Sequence, residues 1–188
     1  MSTAVLNKPK GGTAAGNAAA TAALVESLES ALGGLIEEHE RLTELARAQR
    51  AAIAAADAAA LERVAREQRE RMQAIAVLDA RRHEAAAQLA ARYGVARQGA
   101  GPTVTAIAAA MPGSGGDRLR LLADRLRGTL RTLQREHEVV RAAAETVFAH
   151  IDGLMQQLSR RLSQTGTYTR PGARAPAVNL ASAIDLTS

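Results

Sequence analysis

From Leu119 to Leu162 an apolar or small residue recurs every three or four positions, and no proline interrupts the row. The row reads Leu119, Leu122, Leu126, Leu130, Leu133, His137, Val140, Ala144, Val147, Ile151, Leu154, Leu158, Leu162, with one histidine among the apolar residues. Alternating three-and-four spacing holds such a row on one stripe of an α-helix, the seam of a coiled coil or helical bundle. A helix over 117–165 rises about 70 Å at 1.5 Å per residue, far more than a compact domain needs. The spacing therefore predicts an all-α rod, which presents a surface to a partner and encloses no reaction chamber.

Two shorter rows precede it. Leu24, Leu28, Leu32, Leu35, His39, Leu42, Leu45, Gln49 and Ile53 predict a helix over 21–56, weakened at Gly33 and Gly34 by about 1 kcal/mol each relative to alanine. Leu61, Val64, Gln68, Met72, Ile75, Leu78, Arg82, Ala86, Leu89 and Tyr93 predict a second helix over 57–93. Asp57 stands alone in an alanine run, where its carboxylate can accept from the free amides of a new first turn. Gly94 follows the second row, where a glycine accepts the left-handed backbone beyond a helix end. Two helices of similar length with almost no loop between them form an antiparallel hairpin. Residues 94–116 carry Gly99, Gly101, Pro102, Pro112, Gly113, Gly115 and Gly116 around Val104, Ile107 and Met111, which predicts a connector with a short helix capped by Thr103 or Thr105. Asp117 is expected to cap the long third helix and Gly166 to end it. A disordered arm over 1–20 and a mobile tail over 166–188 complete the layout. The fold class is an antiparallel helical hairpin packed with a long C-terminal helix, an elongated three-helix bundle.

Composition fits long, shallow seams. Alanine supplies 44 of 188 residues, with two tyrosines, one phenylalanine and no tryptophan. Helix formers abound and sheet-forming aromatics are scarce. The absence of cysteine excludes disulfides and thiolate metal sites and fits a reducing, cytoplasmic setting. No apolar run approaches the roughly 18 residues that suggest a membrane span. Nor does a dense apolar segment follow Lys8 and Lys10, so no secretory signal is expected.

The sequence holds no foothold for catalysis: neither a nucleophile elbow nor a phosphate-binding glycine loop between strand and helix occurs. Glu38-His39-Glu40 and Glu136-His137-Glu138 place two histidines in seams, and parallel helices starting at one level bring them within about one turn. The flanking glutamates then point away from the seam, so no metal site is expected and a polar layer setting register fits better. No cofactor is expected either. A net charge of +5 raises nucleic acid as a partner. Yet Arg118, Arg120, Arg125, Arg127, Arg131 and Arg135 spread around their helix, interrupted by Asp124. The hairpin, 21–93, has 12 acidic and 10 basic residues against 6 and 9 in 117–165, signs that suit pairing within the molecule. No nucleic-acid partner is expected.

Length carries the functional expectation. A hairpin arm of about 36 residues covers three-quarters of a 48-residue helix. The remainder, about 152–164, still carries Leu154, Met155, Leu158 and Leu162. An apolar stripe beyond its cover is a partner site, and methionine adapts to more than one partner shape.

This layout resembles the FlgN family of flagellar type III export chaperones. Leu35-Ile36-Glu37-Glu38-His39-Glu40-Arg41-Leu42 and Ala58-Ala59-Ala60-Leu61-Glu62-Arg63-Val64 are similar to the family's leucine–glutamate pattern around its helix turn. Tyr168-Thr169-Arg170-Pro171-Gly172 resembles the tyrosine and glycine beyond its last helix. The resemblance, over about 24–172, implies a non-enzymatic cytoplasmic chaperone that binds hook–filament junction proteins and delivers them to the export gate. It implies that Leu154, Met155, Leu158 and Leu162 face the client and that Tyr168 contacts the export apparatus. Against it stands Glu136-His137-Glu138 with Arg141, where the family commonly has asparagines. The competing class is a homo-oligomeric coiled-coil structural or adaptor protein that pairs through the same stripe.

Overall fold

The computed structural model describes residues 12–96 and 101–165. These residues form four helices and no strand: α1 (Gly12–Ala54), α2 (Ala58–Tyr93), α3 (Val104–Ala110) and α4 (Ser114–Thr165). The chain divides into two compact units, Met1–Glu145 and Thr146–Ser188, with the division inside α4.

In the first unit, α1 and α2 form an antiparallel hairpin. Arg92 donates to Thr21 Oγ1 (2.6 Å), Arg71 to Glu38 (3.4 Å) and Gln68 to Gln49 (3.1 Å), so partners approach in sequence as the turn nears. The turn is short because local chemistry closes it. Ala56 takes a left-handed φ of 51°, and Asp57 Oδ1 accepts from the Ala60 amide at 2.9 Å, satisfying an orphan donor of the first turn of α2. At the other end Gly94, at φ 64°, donates its amide to the Ala90 carbonyl, which closes α2 as the glycine predicted.

Within this unit α4 lies parallel to α1. Arg118 pairs with Glu29 (2.8 Å), Arg125 with Glu40 (3.1 Å) and Arg47 with Glu136 (2.9 Å), numbers rising together along both helices. A helix with neighbours on two sides needs a wide apolar arc. Leu28, Leu32, Leu35 and Leu42 of the expected row are buried, and so are Val25, Ala31, Ile36, Thr43, Ala46 and Ala52 beside it. Short α3 plugs the end of this packing. Val104, Ile107 and Ala108 join Val25, Leu28, Leu32, Ala85, Ala86, Leu89, Ala90 and Leu119 in the core. Each fully buried leucine or isoleucine contributes roughly 1.5–3 kcal/mol relative to exposure.

Several expectations are revised. α1 begins at Gly12, not Thr21: alanine propensity extends the helix upstream of the apolar stripe. The rest of the expected N-terminal arm, 1–11, lies outside the described residues, as do the expected tail and Gly166. Gly33 and Gly34 do not interrupt α1. Gly34 instead admits Leu78, whose Cδ2 would lie 3.0 Å from a β-carbon there. α4 starts at Ser114, so Asp117 sits within its first turn and complements the helix dipole without capping it. Met72, Leu130 and His137, expected in seams, are exposed. Glu38, expected to point away from the seam, is buried between Arg41 and Arg71. One segment, Gly16–Ala54, is long and apolar enough by composition to cross a membrane, because alanine counts as apolar. Its leucine face is the core of the hairpin.

Candidate partner-binding stripe

The second unit's described residues, 146–165, are helical throughout. Here the three-and-four spacing of the long row persists, but its side chains meet solvent. Leu154, Met155, Leu158 and Leu162 are all more than half exposed, and Val147, Phe148 and Ile151 are exposed beside them. At 100° per residue these seven occupy one arc of about 120°. In sequence they prolong the row of Leu119, Leu133 and Val140, which are buried in the first unit.

Where cover ends follows from the register of α1 and α4. Arg47 faces Glu136, and α1 ends seven residues further on, at Ala54. Equal rise puts that end level with about residue 143 of α4. Within the second unit the exposed apolar run opens at Val147, ahead of the expected 152. It takes in Val147, Phe148 and Ile151, which the sequence reading left out of the site. The four expected residues share this face. Tyr168, the expected export contact, lies outside the described residues.

Two polar side chains of the segment bond locally. Gln156 donates to Asp152 Oδ2 (3.0 Å) and Ser163 Oγ to the Arg160 carbonyl (2.8 Å). Gly153 has nothing within 4 Å of where a β-carbon would stand. Exposed apolar area of this kind is what an amphipathic partner helix buries.

Elsewhere the geometry weakens other chemistries. His39 Nδ1 donates to the Leu35 carbonyl at 2.6 Å. His137 is exposed and follows Glu136, whose partner Arg47 lies eight residues beyond His39, roughly 12 Å along the axis. The two histidines thus do not converge, and among the described residues no three potential ligands gather for a metal. Arg118 and Arg125 are spent on α1 carboxylates and Arg127 on Asp124. The arginine-rich turns of α4 thus serve pairing within the first unit. Glu136 is the centre of that pairing. The hydrogen bond from Arg47, with the charges of Arg47, Arg50 and Arg135, holds its carboxyl below the usual carboxylate range.

A hairpin, a short plug helix and a long helix bearing an exposed apolar arc make up the described residues. The family model described as FlgN protein matches residues 24–176. The chain belongs to the FlgN family, whose members are chaperones of flagellar export. No curated protein and no solved structure matches the chain significantly. The matched span takes in α1 from Leu24 onward, all of α2, the connector, all of α4 and Tyr168.

Proposed function

We propose that this protein is a cytoplasmic chaperone that binds hook–filament junction proteins through the arc Val147–Leu162 and hands them to the export gate. The observation that carries this reading is the run of seven exposed apolar side chains on a family member's last helix. A client segment that is itself an amphipathic helix buries its apolar face there, in the helix-in-groove mode. Each Å² so removed from water favours binding by roughly 25 cal/mol before the cost of association. The first unit sets α4 in place and performs no chemistry in this scheme. Tyr168, a few residues past the arc, is the proposed contact with the export apparatus.

The test is co-purification and calorimetry with junction proteins. Leu158→Asp should abolish capture, because a carboxylate entering an apolar contact is desolvated without a partner. The helical circular dichroism and melting of the hairpin should survive. Retained binding, or global unfolding, would show the arc to be something other than the client face. Light scattering of the protein alone addresses the homo-oligomer alternative, which requires a dimer that Leu158→Asp dissolves.

A further inference from the structure

Away from the arc, the first unit carries a groove of about 440 Å³, bounded by α2, α3 and α4 over Leu32 of α1. Its floor is apolar. Leu32 and Val104 are buried there, Leu126 is partly covered, and Leu130 is left exposed although it belongs to the apolar row of α4. Its rim is basic, formed by Arg82, His83 and Arg127, and among the described residues no carboxylate lines it. Four other grooves on the described residues each set a glutamate beside their arginines. This one pairs apolar surface with one sign of charge.

The sequence prepares that combination. Arg82 stands in the apolar row of α2, between Leu78 and Ala86, at a position where a leucine would add to the seam. A guanidinium is rarely buried without an anion beside it, so the row opens there to a polar partner. Arg82 Nε donates to Asp79 Oδ1 at 2.8 Å and its Nη2 to His83 Nε2 at 2.9 Å. Arg127 Nη1 donates to Asp124 Oδ1 at 2.6 Å within its own helix. Both carboxylates stand outside the groove's lining. The Arg127–Asp124 pair is half exposed at each end, and such surface pairs exchange partners at little cost.

We propose that this groove binds an acidic amphipathic peptide segment of a partner protein. An apolar side chain of that segment seats on Leu126 and Leu130, and an aspartate or glutamate meets Arg82 and Arg127. Charge complementarity selects this occupant. A basic segment would face three groups of like sign, and an uncharged one would desolvate guanidinium groups without supplying an acceptor. Arginine suits the task because its planar fork matches a carboxylate with two parallel hydrogen bonds. The volume lies toward the low end for ligand pockets, so the groove admits a few side chains of a segment and not a folded domain. The site is separate from the arc and does not rest on the client reading above.

The probe is a fluorescent synthetic peptide of leucines and glutamates spaced for one amphipathic helix, amidated at its end and titrated into the full-length protein. It should bind, and it should shift the methyl resonances of Leu126 and Leu130. Arg127→Gln, at an exposed side chain, should weaken it about tenfold, the scale of a lost charge-assisted hydrogen bond. Leu130→Asp should abolish it without changing the melting temperature, since Leu130 is already exposed. Leu158→Asp on the arc should leave it unchanged, which keeps this site distinct from the proposed client face. Equal affinity for a peptide with lysine in place of glutamate overturns the proposal, as does binding indifferent to Arg127→Gln and Leu130→Asp. Binding lost in Leu158→Asp also overturns it, by moving the peptide to the arc. A dimer of the protein alone that Arg127→Gln dissolves assigns the groove to a second copy and overturns it too.

Discussion

Gly116 stands so close to α3 that a β-carbon on it would lie 2.5 Å from the carbonyl oxygen of Ala108. Backbone meets backbone there, so neither side can swing away as a side-chain tip could. Gly116→Ala should push α4's first turn off α3 and destabilise the first unit by roughly 1–3 kcal/mol, the usual cost of overpacking. Gly33 is the control, since a β-carbon there meets nothing within 4 Å. Gly33→Ala should stabilise the protein by about 0.5–1 kcal/mol through helix propensity alone. Urea unfolding followed by circular dichroism reads both, and equal signs would contradict the packing described.

Asp57, with the left-handed Ala56 before it, separates the hairpin from one continuous helix. Its carboxylate accepts from Ala60, and the left-handed Ala56 precedes it. Asp57→Ala should cost about 0.5–2 kcal/mol, the range for losing an N-cap. Asp57→Asn should cost far less, because asparagine accepts the same hydrogen bond. Thermal melts of the two variants should separate accordingly.

Much of this was legible in the sequence where the signal is local. The bounds of α2 follow from Asp57 and Gly94, which act on their own neighbours through one hydrogen bond and one backbone conformation. What depended on distant partners was not legible. A single apolar row assumes one neighbour, so the second buried row on α1, with Ile36 and Ala46, went unseen. Glu38 looked like a solvent residue because its partner Arg71 is 33 positions away. The first uncovered residues of α4 were misplaced for a related reason. Two helices assumed to start level are in fact offset, with α1 extended to Gly12 and α4 docked so that Arg47 meets Glu136. The exposure of Leu154, Met155, Leu158 and Leu162 was legible because their periodicity runs past the expected end of the hairpin arm; Phe148 sits at the arc's edge and off the strict row.

Glu136 couples α1 to α4 through Arg47 and Arg50. Its folded-state carboxyl is held below the usual range, so the pairing stabilises the fold above the carboxylate's unfolded pKa. That contribution fades as pH falls through the lowered folded value, when the carboxylate takes a proton and Arg47 loses its acceptor. Melting temperature should therefore decline on acidification, and part of that decline should vanish in Glu136→Gln. Because the pair is exposed, raising salt should shrink the difference between the two proteins. An identical acid profile for both would remove Glu136 from the pairing.

Phe148 and Leu121 offer the sharpest comparison of the arc with ordinary exposed surface. Both side chains lie on α4 and both are 71% exposed. Phe148 shares its arc with Ile151 and Met155, whereas Leu121 is turned away from the row of Leu119, Leu122 and Leu126. Hydrophobicity alone would make the two equivalent for any partner. A contiguous arc makes them different, because a docking helix buries neighbouring side chains together, and a large aromatic at such a contact commonly anchors it. Phe148→Ala should weaken client binding by about 2 kcal/mol, roughly thirtyfold, with little change in melting temperature. Leu121→Ala should leave both quantities within error. Should the two variants lose binding equally, the client would be reading general stickiness along α4 and not the arc from Val147 to Leu162.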